Sequence, residues 1–100
     1  MELRQLQCMV ICAQTKSFSK AASMLFTSQS NVSKTIAALE KELGKKIFER
    51  RRHGIELTAK GEQIYKFVTM TQAIRTDVTQ IRVLQHSLHN IVTVRSDLNL

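Results

Sequence analysis

A chain of 100 residues with 43% apolar content, five aromatics and no proline has room for one compact domain plus an extension, which excludes a disordered protein and disfavours a many-turned β sandwich. Its formal charge of +7 is uneven: residues 1–60 hold eleven Lys/Arg against five Asp/Glu, residues 61–100 hold four against three, and no carboxylate occurs between Glu2 and Glu40. That distribution points towards a polyanionic partner.

A first helix is expected from about Glu2 to Gln14, with Leu3, Leu6, Val10 and Ala13 in one stripe and Cys8, Met9, Ile11 and Cys12 making its other sides apolar. A helix apolar all round is packed on two sides. Cys8 and Cys12, on successive turns and without a His or Cys cluster nearby, read as free thiols of a reducing cytoplasm rather than a disulfide or zinc site. No basic start leads into an apolar run, and no stretch approaches the roughly 18 apolar residues of a membrane span.

After a polar break, a short second helix is expected over about Ser19–Leu25, capped by Ser17 or Ser19, with Ala21, Ala22 and Leu25 inward. Thr27 or Ser28 caps a third helix that ends near Leu43, with Gly44 after it. In that helix Val32, Ile36, Leu39 and Leu43 form the buried stripe. Ser30, Lys34, Ala37 and Lys41 take the opposite side, flanked by Asn31 and Ser33. The exposed side is narrow, free of carboxylates and built mostly from small side chains, a surface suited to the DNA major groove.

The periodicity then changes to two short strands, Lys46–Arg50 and Gly54–Thr58, around a basic tip of Arg51, Arg52, His53 and Gly54. A hairpin directly after such a helix is a wing. From about Thr58 to Leu88, Phe67, Ile74, Ile81 and Leu88 recur every seven residues, supported by Ile64, Val68, Val78 and Leu84. This predicts one long helix whose seam (Phe67, Ile74, Val78, Ile81, Leu88) pairs with a second copy, the alternative being a helix that lies along its own domain. His86 and His89 read as exposed residues of that helix rather than a metal pair, and Ile91–Arg95 as an incipient strand. The expected fold is mainly α: a winged helix-turn-helix over 1–58, a linker and dimerisation helix over 59–89, and the start of another domain over 90–100.

Taken together, Phe18 with Ala21-Ala22, Ser28-Gln29, Ser33, Leu39-Glu40, Leu43-Gly44, Phe48-Glu49-Arg50 and Leu57-Thr58 with Gly61 resemble the DNA-binding domain of the LysR family of bacterial transcription regulators. The resemblance covers about the first 65 residues in detail and the long helix in kind. It implies a dimer with antiparallel linker helices on an inverted repeat, and a two-lobed α/β effector domain, absent here, through which a small-molecule inducer acts. On that basis the chain is expected to be a truncated regulator, either an engineered fragment or a shortened gene product. Ser30 stands where many members have proline, and Lys34 where arginine is frequent; lysine trades a planar fork for a point charge.

In this reading Gln29 contacts adenine, Ser30, Asn31 and Ser33 supply short donors and acceptors, and Lys34 reaches guanine or a phosphate. Ser17, Ser19, Lys20 and Ser28 hold phosphates near helix starts, and Arg51, Arg52 and His53 bind phosphate or the flanking minor groove. No cofactor, metal or membrane is implied, and no phosphate loop or activated nucleophile suggests an enzyme. A different class of function is an interaction module whose long helix forms inactive heterodimers with full-length regulators.

Overall fold

Leu3–Thr15 forms α1, which starts where the Glu2 backbone N–H donates to Gln5 Oε1 at 2.9 Å. The computed structural model describes residues 2–70. Leu6, Met9 and Cys12 of α1 are fully buried, and Cys8 and Val10 nearly so. Leu3 and Ala13, expected in the stripe, are only half-buried. The helix packs against α2 (Phe18–Met24) and α3 (Gln29–Leu43) on one side and against β2 (Gly54–Leu57) and α4 (Ala59–Met70) on the other, as its all-round apolar character requires. Its Cys8 and Cys12 thiols are free, and the hydrogen bond between them lowers the Cys8 pKa and raises that of Cys12.

Lys16, left-handed at φ 57°, turns the chain into α2, Phe18–Met24, whose cap is Ser17: its Oγ accepts from the Lys20 N–H at 3.1 Å. Ala21 and Ala22 are buried, and their small size lets α3 (Gln29–Leu43) cross closely. Ser28 is the α3 cap, accepting from the Asn31 N–H at 3.1 Å. The helix ends at Gly44, left-handed at φ 69°. Val32, Ile36, Leu39 and Leu43 are buried as their spacing requires.

The hairpin comprises β1, Phe48–Arg51, and β2, Gly54–Leu57, antiparallel with Phe48 opposite Leu57 and Arg51 opposite Gly54. The first strand therefore starts two residues later than its alternation suggests. Before it, the Ile47 N–H donates to Glu40 Oε2 at 2.8 Å, and Ile47 O accepts from the Thr58 N–H at 2.9 Å. Those backbone groups bond to α3 and to the segment after β2 instead of to a ladder partner. The wing is also stitched to the α1–α2 connection, where the Ile55 N–H donates to Lys16 O at 3.1 Å.

Thr58 starts α4, described over Ala59–Met70: its Oγ1 donates to Lys46 O at 2.6 Å and accepts from the Gly61 N–H at 2.9 Å. A Cβ on Gly61 would strike Ile47 O, so only glycine permits this approach of α4 to the wing base. Ile64 and Val68 are fully buried, and Phe67 packs half-buried against the same core. The first turns of the seven-residue seam thus cover the domain's own interior. The remaining seam residues Ile74, Val78, Ile81 and Leu88, with His86, His89 and the 91–95 segment, lie outside the described residues. The fold is a mainly α winged helix-turn-helix leading into a further helix.

Candidate nucleic-acid interface

The interface is built on α3, because its buried aliphatic stripe fixes which side chains face out. Gln29, Ser30, Asn31, Lys34, Ala37 and Lys41 are exposed, and Ser33 is half-buried. Among the described residues Lys34 and Lys41 carry no ion pair, and Glu40, the first carboxylate after Glu2, lies largely covered where α3 meets the wing. Its side chain is 14% exposed, accepting from the Ile47 and Phe48 N–H groups at 2.8 and 3.3 Å and lying 3.7 Å from Lys46 Nζ. An acid that would repel phosphate is thereby used as the bracket that holds the wing against α3.

Asn31 is less free than its exposure suggests. Its Nδ2 donates to Thr27 Oγ1 at 3.0 Å, which orients the amide at the start of the helix and leaves Oδ1 to accept. Ser17 and Ser28 spend their hydroxyls on the caps, while Ser19 and Lys20 stand exposed on the first turn of α2.

The wing divides its charges by face. Glu49, Arg51 and Glu56 share one side: Arg51 Nη2 lies 2.9 Å from Glu49 Oε2, and its Nε lies 3.1 Å from Glu56 Oε2. Arg51 is therefore the last residue of β1, held by two carboxylates, and not part of the tip. The tip proper is Arg52 and His53, both exposed and without an ion pair among the described residues.

Arg50 projects from the other face, towards α2 and α3. Its guanidinium carbon lies 5.8 Å from the Phe18 ring centroid, and Phe18 meets Phe48 edge-on at 5.9 Å. Arg50 was not among the sequence candidates; the two-residue alternation that puts it opposite Arg51 was the available signal. A groove of about 510 Å³ between α3 and the wing brings together Phe18, Ser33, Ala37 and Arg50, with the carboxylates of Glu40 and Glu49 also in its lining beside Lys46. The start of α2, the front of α3 and the wing thus converge on one surface. Arg50 there lacks any carboxylate partner among the described residues.

The family described as "Bacterial regulatory helix-turn-helix protein, lysR family" matches residues 3–62. The chain belongs to this family. Among LysR-type relatives, the transcriptional regulator TfdT of Cupriavidus pinatubonensis is 44% identical over 62 residues, 62% of this chain and 27% of TfdT. BudR of Klebsiella aerogenes is 42% identical over 66 residues, 66% of this chain and 46% of BudR. The chain therefore spans less than half the length of these curated relatives. Similar solved structures include the BenM DNA-binding domain with catB site 1 DNA, at TM-score 0.68 and 27% identity, covering 95% of this chain and 96% of that one. The CbnR DNA-binding domain in complex with DNA has TM-score 0.64 and 28% identity, covering 98% of this chain and 99% of that one. Among the described residues, no helix is long and apolar enough to cross a membrane.

Proposed function

We propose that this chain is a transcription regulator of the LysR type that binds duplex DNA sequence-specifically, with α3 in the major groove. The observation that carries this reading is the exposed front of α3, free of carboxylates and framed by Arg50 and the Arg52–His53 tip, in a fold shared with domains solved on DNA. In this arrangement Gln29, Ser30, Ser33 and Asn31 Oδ1 read base edges, and Lys34 reaches a guanine edge or an adjacent phosphate. Ser19, Lys20 and Arg50 hold backbone phosphates beside the recognition helix, with Ser17 and Ser28 presenting the helix starts. Arg52 and His53 take the flanking backbone or minor groove.

The seven-residue seam of the long helix supports a homodimer, so the site is an inverted repeat with half-site centres about one helical turn or a multiple apart. Two buried free thiols suit a reducing compartment, and the cytoplasm is the location this reading assigns.

Selection of bound sites from random duplexes with the 100-residue chain tests the reading. The expected result is an enriched pair of inverted half-sites at fixed spacing, with affinity that falls steeply as salt rises. Absence of enrichment at low salt, or binding indifferent to salt, overturns it.

A further inference from the structure

The groove shared with the wing is not the only one beside α3. On its opposite flank lies a second, of about 540 Å³, between α3 and the start of α1. Arg4 and Gln7 of α1 form its outer wall, Asn31, Lys34 and Thr35 of α3 its inner wall, and Thr27 closes one end. Arg4 is exposed and, like Lys34, has no ion pair among the described residues, and no carboxylate lines the groove. The α3 front is thus a ridge between two furrows, one containing the Arg50 guanidinium and the other containing Arg4.

A major groove has the complementary shape: a floor of base edges between two phosphate ridges roughly 12 Å apart. A helix lowered into it acquires one phosphate ridge on each flank. We infer that the α1–α3 furrow seats the second phosphate strand, with Arg4 as a backbone clamp and Lys34 shared between that strand and the bases. The inference rests on the DNA-binding reading above and assigns to α1, otherwise a core helix, a part in holding the duplex. Arg4 supplies a guanidinium fork suited to phosphate oxygens, and the Gln7 amide offers a neutral donor beside it, whereas the Thr35 hydroxyl already donates to Asn31 O at 2.8 Å. Because the furrow faces backbone rather than base edges, its contribution is independent of sequence.

The test measures binding to one selected duplex and one scrambled duplex across a salt series, for the unmodified chain, Arg4→Gln, Arg4→Lys and the control Lys66→Gln on exposed α4. Arg4→Gln is expected to bind both duplexes about threefold to tenfold more weakly near 0.15 M salt. Its slope of log affinity against log salt should fall by about one per bound protomer. Arg4→Lys should restore most of the slope, and Lys66→Gln should leave it unchanged. Single methylphosphonate replacements should reveal one phosphate whose neutralisation weakens the unmodified chain but not Arg4→Gln. An unchanged slope in Arg4→Gln, or an equal drop in Lys66→Gln, overturns the clamp while leaving DNA binding intact. Failure of the unmodified chain to bind any duplex overturns the functional reading itself, and the clamp with it.

Discussion

The recognition helix and the wing both present basic side chains, yet they are held differently. Helix α3 is fixed by aliphatic burial on its rear, so its front is left almost without side-chain hydrogen bonds; the Asn31 amide on Thr27 and the Thr35 hydroxyl on Asn31 O are the exceptions. The wing is a pair of four-residue strands that places Phe48 and Ile55 in the shared core, and polar brackets add to that hold: Glu40 on the Ile47 and Phe48 amides, Thr58 on Lys46 O, and Lys16 O on the Ile55 amide. Burial is indifferent to what the exposed face carries, so α3 can change its front without losing its seat. The wing has no such separation, because Arg51 helps to hold the hairpin's own acidic face and is correspondingly less available to a ligand.

The comparison breaks most visibly at Leu39, which is fully buried in the α3 stripe. Leu39→Ala should cost about 2–5 kcal/mol, read as a lowered denaturation midpoint, and both regions should lose order together. Glu40→Ala separates them: it should cost about 1–3 kcal/mol, and hydrogen exchange at Ile47 and Phe48 should accelerate more than at buried α3 amides. A uniform acceleration would show that the bracket does not act locally.

Smaller effects sharpen the division of labour. Lys34→Ala should leave the melt unchanged and narrow the preference for the selected half-site over single-base variants by about threefold to tenfold, measured in competition binding. Arg52→Ala should weaken all duplexes by about threefold, whereas Arg51→Ala should change affinity by less than about twofold, since its guanidinium is already occupied. Equal losses for the two arginines would mean that the paired carboxylates release Arg51 to DNA. The smallest effect is expected at Phe26, 96% exposed and left-handed at φ 54° in the α2–α3 turn. Phe26→Asn should keep stability or raise it by less than about 1 kcal/mol in thermal unfolding, because asparagine tolerates that backbone better.

The three helices of the domain were legible because their information is periodic: the 32–36–39–43 stripe, Ser17 and Ser28 before it, and Gly44 after it are all local signals. The hairpin was legible from alternation and Gly54, but its start was not, because the competing partner of Ile47 is a carboxylate seven residues away. The same blindness hid three facts of the site. Glu40 reads as a solvated acid until the wing folds onto it. Arg51 reads as a tip residue until the register sets Glu49 opposite Glu56. Arg4 and Arg50 gain meaning only when α1, α3 and β1 are assembled side by side. Side chains bonded across long separations leave no repeat in the chain, and family words such as Leu39-Glu40 or Thr58 with Gly61 mark them without explaining them.

Gly61 is the fulcrum of α4. Its bare Cα lies against the carbonyl of Ile47, so the bearing of the helix is set at its third residue by the width of a missing methyl group. A rod pivoted so near one end acts as a lever: at 1.5 Å per residue, a tilt of about 10° there would swing Met70 by about 2 Å. A side chain at position 61 would therefore re-aim the rod while leaving the reading head that precedes it nearly intact.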